Sequence, residues 1–330
     1  MINTKELEAD IQPGTVIKPN WHSPERLLEY SMLGVLVLLI VAATIIYPRF
    51  LEPGNLAIVL SQYAPLGIVA VGMTLVIIAG GFDLSVGAIF ASAATIAAAL
   101  APQIGVPAAF ALALIGGLIL GFINAVGVTV LKVNPFITTL GTSSLYSGGV
   151  LFLTNSTAFS DTNSDFQVLG TGATLGIPNT ILVLILTFLV GFVVLNFTGF
   201  GRGIFAVGGS REAARLSGIR VNLVQGSTYV ISGFLAALAG VITASQQSAG
   251  QGSMGGSVAL DAIAIVVIGG TSLVGGEGKL WRTVVGLLVL AILDNIFYSL
   301  AVDSNAQLIV KGAIVILAVA ADQLVRRKQR

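Results

Sequence analysis

Long apolar runs alternate with short polar segments along almost the whole chain. Each run is close to the roughly 20 residues that an α-helix needs to cross a bilayer. The pattern predicts ten membrane-spanning helices, near 28–47, 64–79, 87–101, 108–131, 135–154, 180–197, 222–245, 258–274, 283–301 and 306–322. A pair of re-entrant half-helices could replace two of the full spans.

The composition agrees with this pattern. Of the 330 residues, 55% are hydrophobic and 9% are charged, and the mean hydropathy is +0.96. A soluble domain carries roughly 25% charged residues, because water-facing surface must be covered. The expected fold class is therefore an all-α integral membrane protein. The polar residues before Leu27 lack the basic start and short apolar core of a secretory signal, so we expect the first apolar run to remain as a span.

The distribution of Lys and Arg predicts the orientation, since these residues stay cytoplasmic in short loops. With ten spans and both termini inside, 14 of the 16 basic residues fall on the cytoplasmic side. Only Arg49 falls outside, and Lys311 falls within a span. We expect a cytoplasmic tail at 1–27, a transmembrane domain at 28–325 with its longest cytoplasmic loop at 199–221, and a basic cytoplasmic tail at 326–330.

Several kinds of chemistry are excluded or disfavoured. The chain has no cysteine and a single histidine, His22, in the polar leader, so neither a metal site nor a catalytic set is expected. Gly278-Lys279 is not a P-loop, because the flanking positions do not fit the motif. The chain is therefore not expected to bind ATP or any cofactor itself. A net charge of +1 gives no sign of a nucleic-acid partner.

The loop 199–221 contains a candidate docking helix. Ser210 is suited to cap a helix N-terminus and Gly218 to follow its C-terminus, with about two turns between them. Arg211 and Arg215 fall on one face of this helix, four residues apart. A short, charged, capped helix between two spans suits contact with a cytoplasmic partner. The alternative is a basic loop that only fixes the topology.

Two glycine pairs interrupt apolar runs. In the segment Gly80-Gly81-Phe82-Asp83-Leu84-Ser85-Val86-Gly87, an acidic residue follows the first pair closely. Either the backbone unwinds near a transport pathway, or a tight hairpin forms in which Asp83 or Ser85 caps the next helix. The segment 269–276 shares Gly-Gly, a leucine and a later glycine with 80–87, which is a weak sign of an internal repeat.

Polar and charged residues within the predicted spans suggest a pathway for a hydroxylated solute. The hydroxyls and amides can both donate and accept hydrogen bonds, although each could equally bond between helices: Asn134, Thr138, Thr139, Ser143, Gln246 and Asn295. The ionisable residues Asp83, Asp261, Asp294 and Lys311 would suit an ion-coupled carrier. A four-residue connection between the last two spans predicts that Asp294 and Lys311 pair inside the membrane.

These motifs together resemble the ribose-type, or simple-sugar, ABC transporter permease family. Glu212-Ala213-Ala214 followed by Gly218 matches the EAA loop of ABC importer permeases, and 80–87 is similar to the Gly-Gly-Ile-Asp-Leu-Ser-Val-Gly signature of the ribose-type group. Segments 260–278 and 309–312 are similar to later signatures of that group. Trp281-Arg282 departs from the small residues usual there. The resemblance runs from about residue 28 to 325.

The resemblance implies a type II-like importer architecture in the bacterial inner membrane. It implies four partners: a cytoplasmic ATP-binding subunit, a second permease subunit, a periplasmic sugar-binding protein and membrane lipid. The implied ATPase contacts are Arg211, Glu212, Ala213, Ala214, Arg215 and Gly218. Taking these motifs and the polar residues of the spans together, the candidate pathway or gate residues are Gly80, Gly81, Asp83, Ser85, Asn134, Thr138, Asp261 and Asn295. The alternative function is an ion-coupled secondary transporter, for which the docking loop has no explanation.

Overall fold

A computed structural model describes residues 24–327 as thirteen α-helices and four two-residue strands. The helices are α1 Pro24–Ile46, α2 Pro53–Ile78, α3 Val86–Ile104, α4 Val106–Thr129, α5 Pro135–Leu153, α6 Ser164–Thr171, α7 Asn179–Phe197, α8 Gly199–Gly209, α9 Arg211–Leu216, α10 Val221–Gln247, α11 Val258–Ile268, α12 Leu280–Ser299 and α13 Ser304–Arg327. The strands are β1 Phe159–Ser160, β2 Ala173–Thr174, β3 Ile177–Pro178 and β4 Ala249–Gly250.

Each of the ten predicted windows contains a helix, and the all-α membrane fold is confirmed. Seven helices in the described part of the chain are long and apolar enough to cross a membrane: α2, α3, α4, α5, α7, α10 and α12. Met32–Ile46 of α1 and the whole of α11 are shorter apolar helices. The predicted count of ten full spans is therefore not confirmed, because seven of the described helices meet the length and hydropathy of a full span.

The predicted window 258–274 is too long. Helix α11 has 11 residues, which at 1.5 Å per residue reach roughly half of a 30 Å hydrocarbon core. The glycine pair ends it: Gly270 has φ +80°, and the amide of Thr271 donates to the carbonyl of Val266. A left-handed residue at this position is the usual Schellman cap, which glycine adopts without steric cost.

The two predicted tails lie mostly outside the described residues. The first described residue, Pro24, already belongs to α1, and the last, Arg327, belongs to α13. Residues 24–27 and 326–327 are helical.

Helix α10 lies at the centre of the bundle and packs against α2, α3 and α4. Small residues allow close packing between α4 and α10. A Cβ on Gly117 would lie 2.6 Å from the carbonyl oxygen of Gly233 in α10, and one on Gly121 would lie 2.6 Å from that of Tyr229. Glycine at these positions lets the two backbones touch, as close packing between membrane helices requires.

The segment between α5 and α7 forms a small ordered layer, whereas the sequence showed only a polar stretch there. Strand β1 pairs antiparallel with β4, which directly follows α10, and β2 pairs with β3 in a hairpin. Phe166 of α6 is fully buried, and its ring packs edge-on against Phe110 of α4. Helix α6 therefore lies over the end of α10, and the opposite end of the bundle carries α8 and α9.

Candidate functional site

A cavity of about 650 Å³ lies between α2, α10, α11 and α12, beside α6. Its wall carries hydroxyl, amide and carboxyl groups from Ser61, Gln62, Tyr63, Thr171, Thr243, Gln246, Gln247, Asp261, Asp294 and Tyr298. Apolar residues, among them Ile58, Leu66 and Phe90, complete it. Small-molecule sites are usually concave with a few converging polar groups, and here most of the lining residues carry one.

A proline shapes one wall of the cavity. Pro65 lies inside α2, and because proline has no N–H, the carbonyl of Ser61 loses its partner within the helix. The side-chain amide of Gln246 in α10 donates to that carbonyl instead, at 2.9 Å. The hydroxyl of Ser61 pairs with that of Thr180 in α7, at 2.6 Å. These bonds fix Gln246 and Ser61 at the cavity.

The predicted pair of Asp294 and Lys311 is confirmed and lies at the cavity. The ammonium nitrogen of Lys311 in α13 is 2.6 Å from Oδ2 of Asp294 in α12. The hydroxyl of Tyr63 in α2 donates to the same oxygen. A charge inside a membrane protein is costly unless it is paired, so the three groups tie α2, α12 and α13 together at this level.

The cavity is closed toward the α9 end of the bundle. From Gly67 to Ile78 every residue of α2 is buried, and Ile68, Met73 and Leu75 are each at most 2% exposed. The lining residues Gly170 and Thr171 belong to α6. The cavity therefore lies on the α6 side of a tightly packed apolar layer.

Asp83 lies in the break between α2 and α3, away from the cavity, and is fully buried. Its Oδ1 accepts from the amide and the hydroxyl of Ser85, at 3.1 and 2.6 Å. Its Oδ2 accepts from the hydroxyl of Ser232 in α10, at 2.9 Å. Ser85 precedes α3 but makes no side-chain cap bond. Asp83 closes the turn before α3 by accepting from the amide of Ser85.

The same network continues into α4 and α5. Asn124 of α4 donates to the hydroxyl of Ser85 at 2.6 Å, and Thr142 of α5 donates to the carboxamide oxygen of Asn124 at 2.6 Å. The carbonyl of Phe82 accepts from Thr139 and Tyr229. Irregular backbone at this depth is tolerated because protein groups satisfy it. Helices α2 and α3 do not pack on each other as the two arms of a hairpin would, because each packs against α10 instead.

The two glycine pairs end their helices in the same way, but at different positions of the pair. Gly80, the first of its pair, has φ +76°, and the amide of Gly81 donates to the carbonyl of Val76. After α11 the left-handed residue is Gly270, the second of its pair. When the two segments are aligned by their Gly-Gly pairs, their left-handed glycines therefore lie one position apart.

The predicted docking helix is present as α9, Arg211–Leu216. The hydroxyl of Ser210 accepts from the amide of Ala213, and Gly218 has φ +81°. Ala214 is buried against the bundle, and the other five residues of the predicted contact set are exposed: Arg211, Glu212, Ala213, Arg215 and Gly218. The sequence did not reveal α8, which joins α9 to α7.

Of the predicted pathway residues, only Asp261 lines the cavity. Asn134 is exposed and caps α5 through the amide of Phe136. The side chain of Thr138 packs against Gly127 of α4. The side-chain amide of Asn295 donates to the side-chain oxygen of Asn55 at 3.5 Å. Gln246, which the sequence analysis named among the polar residues, also lines the cavity. Tyr63 and Gln62 were missed, because nothing in the sequence brings α2 next to α12.

Comparison with known proteins gives the family. The family model described as the permease component of branched-chain amino acid transport systems matches residues 55–319. The ribose import permease of Haemophilus influenzae is 39% identical over 315 residues, covering 94% of this chain and 98% of the relative. That of Bacillus subtilis is 42% identical over 294 residues, covering 88% and 91%.

A more distant relative is the xylose transport system permease of Escherichia coli, 33% identical over 342 residues, covering 84% of this chain and 87% of the relative. No solved structure shows a significant match. Since the family model spans more than half of the chain and these relatives align over most of it, the chain belongs to the ribose-type ABC transporter permease family.

Proposed function

We propose that this chain is the membrane-spanning permease of an ATP-driven importer for a simple sugar or a related polyol. The observation that carries the proposal is the alignment with sugar permeases over nearly the whole chain. A permease subunit is a transporter component and not an ATPase. The solute would arrive on a periplasmic binding protein, and the energy would come from ATP bound by a separate subunit.

The cavity supports a polyhydroxy solute. Hydroxyl, amide and carboxyl groups line it, and together they offer the donors and acceptors that sugar hydroxyls need. The branched side chain of an amino acid such as leucine would use none of these groups. We assign the cavity as the part of the pathway that receives the solute from the binding protein.

The end of the bundle with α9 is the proposed contact with the ATP-binding subunit. Arg211, Glu212 and Arg215 are exposed on α9, while Ala214 fixes the helix to the bundle. With both termini and α9 on the cytoplasmic side, α6 and the cavity face the periplasm. Ten crossings, some made by short helices, and a second permease subunit complete the proposed arrangement.

The alternative of an ion-coupled carrier is not favoured. Such a carrier needs an ionisable group that can change its charge during transport. Asp294 is held by Lys311, and the buried Asp83 is held by hydroxyls and an amide. The docking helix α9 also has no role in that mechanism.

Purification of the intact complex from its native membrane tests the proposal. We expect an ATP-binding subunit and a periplasmic binding protein to accompany the chain. The isolated binding protein should bind D-ribose, D-xylose or another polyol, and not L-leucine. A chain that purifies without an ATPase, or with a binding protein specific for leucine, would contradict the proposed function.

A further inference from the structure

Three separate backbone segments meet without intervening side chains at the α9 end of the bundle. They are the end of α2, the end of α8 and the loop between α11 and α12. Four glycines lie at this meeting point and are called here the glycine seam: Gly80, Gly208, Gly275 and Gly276.

At Gly208, Gly275 and Gly276 the seam has no room for a side chain, whereas a Cβ on Gly80 would lie 3.7 Å from the Cα of Gly208, an ordinary contact. A Cβ on Gly208 would lie 1.8 Å from the carbonyl oxygen of Ile78 and 2.5 Å from the amide nitrogen of Gly276. A Cβ on Gly275 would lie 2.8 Å from the Cα of Gly80. Such distances are far below van der Waals contact, so only glycine fits at these positions.

A hydrogen bond and the backbone conformation hold the seam in register. The amide of Gly276 donates to the carbonyl of Ile78, the last residue of α2, at 2.8 Å. Gly80, Gly275 and Gly276 have φ of +76°, +95° and +75°, a region that other residues enter only with strain. The loop after α11 is thereby bonded directly to the end of α2.

One side of the seam leads to the docking helix. Gly208 lies in the last turn of α8, and Ser210, which alone separates α8 from α9, caps α9 with its side chain. Ala214 buries α9 against the bundle. A displacement of α9 therefore moves the backbone of Gly208, because no flexible loop lies between them.

The other side of the seam leads to the cavity. Helix α2 carries Ser61 and Tyr63 to the cavity wall, and α11 carries Asp261. Helix α2 ends at Ile78, whose carbonyl is bonded to Gly276, and α11 ends at Ile268, before the loop that carries Gly275 and Gly276. A contact between backbone atoms cannot be relieved by a change of side-chain rotamer. Because packed protein interiors transmit strain, a displacement on one side of the seam reaches the other side.

We propose that the glycine seam couples movement of α9 to movement of α2 and α11, and so links the ATP-binding subunit to the walls of the solute cavity. Gly208 is the positioning residue at its centre. The inference rests on the proposed function, since it requires an ATPase docked at α9.

The variant Gly208→Ala tests the seam, with Gly209→Ala as its matched control. A Cβ on Gly209, the next residue of the same helix, would meet nothing within 4 Å. For Gly208→Ala we expect the ATP-binding subunit to remain bound while solute uptake per ATP hydrolysed falls roughly tenfold or more. Gly209→Ala should keep both near wild type. Equal coupling in the two variants would overturn the proposal.

If Gly208→Ala does not fold, a measurement on the wild-type complex tests whether the seam couples α9 to α2 and α11. Hydrogen exchange is compared between the nucleotide-free complex and the complex trapped with ATP and orthovanadate. We expect peptides covering 76–85 and 271–279 to change their protection together with 199–218. A change confined to 199–218 would overturn the seam and leave the proposed function intact. Absence of a complex would overturn both.

Discussion

Asp294 and Lys311 show how two charges are kept inside the helix bundle. Asp294 is 7% exposed, and one of its oxygens accepts from both Lys311 and Tyr63. Its Oδ1 is buried and has no partner among the described residues. Removing either charge would leave the other uncompensated, which costs more than removing both.

A double-mutant cycle measures this pair. Asp294→Asn and Lys311→Met should each lower the free energy of unfolding in mixed micelles, and the double variant should lose less than the sum. We expect a coupling energy of about 0.5–3 kcal/mol. The exposed pair Arg49–Glu52, at 3.7 Å, is the control and should couple by less than about 1 kcal/mol. Additive losses at Asp294 and Lys311 would show that the contact contributes nothing.

The Asp83 network leads to a second prediction at this scale. In Asp83→Asn, the carboxamide oxygen can still accept from Ser85, but the uncharged NH2 group that faces Ser232 can only donate. The lost charge-assisted bond corresponds to about 1.5–3 kcal/mol. We expect the variant to reach the membrane at a normal level and to transport poorly, because the break between α2 and α3 loses its charge-assisted bond to α10 and keeps only the weaker bond from Tyr229 to the carbonyl of Phe82.

The control for this variant is Asp165→Asn, since Asp165 is exposed in α6. Uptake and membrane level are measured for both variants. Full transport by Asp83→Asn, together with instability of Asp83→Ala, would mean that Asp83 only stabilises the turn.

Helix α9 depends on its glycine cap. A Cβ on Gly218 would meet nothing within 4 Å, so the requirement for glycine comes from its φ of +81° alone. A β-branched residue there costs roughly 1–2 kcal/mol, whereas asparagine tolerates this conformation. We expect Gly218→Val to uncouple ATP hydrolysis from uptake and Gly218→Asn to retain most of the coupling. Normal uptake and normal ATPase stimulation in Gly218→Val would refute the docking role of this cap.

The elements that local sequence signals specify were predicted, and those that depend on long-range packing were not. The cap residues Ser210 and Gly218 allowed α9 to be predicted, because each of them acts within its own turn. Helix α8 was missed, since five glycines in 11 residues disfavour a helix. Close backbone packing requires some of them: a Cβ on Gly201 would lie 2.1 Å from the carbonyl oxygen of Leu195. Helix α11 was predicted too long because hydropathy continues past the glycine pair that ends it.

The cavity shows the same limit for the site. Asp261, Asp294 and Gln246 stand out as polar residues in apolar runs, so the sequence could name them. The sequence could not show that α2 brings Ser61 and Tyr63 to the same place, because this depends on packing between helices far apart in the chain. Asn134 and Asn295 were named for the same polarity, yet in the structure they bond locally or between helices.

At the scale of the whole molecule, the proposed topology has a direct chemical test, since the chain contains no cysteine. Single cysteines are introduced at Thr157, before β1, and at Ser217, after α9; both positions are exposed. We expect a membrane-impermeant maleimide to label Thr157→Cys in intact cells and Ser217→Cys only after the membrane is opened. The reverse pattern would invert the orientation and place α9 away from any cytoplasmic ATPase.

The central claim is that ATP hydrolysis by a partner docked at α9 drives solute entry through this chain. The most direct measurement is uptake into proteoliposomes that contain the complete complex and its binding protein, with radiolabelled D-ribose, D-xylose and L-leucine compared. We predict uptake of a sugar that requires ATP on the α9 side and persists when ionophores collapse all ion gradients. Uptake that continues without ATP and stops with the ionophores, or that selects leucine, would contradict the account.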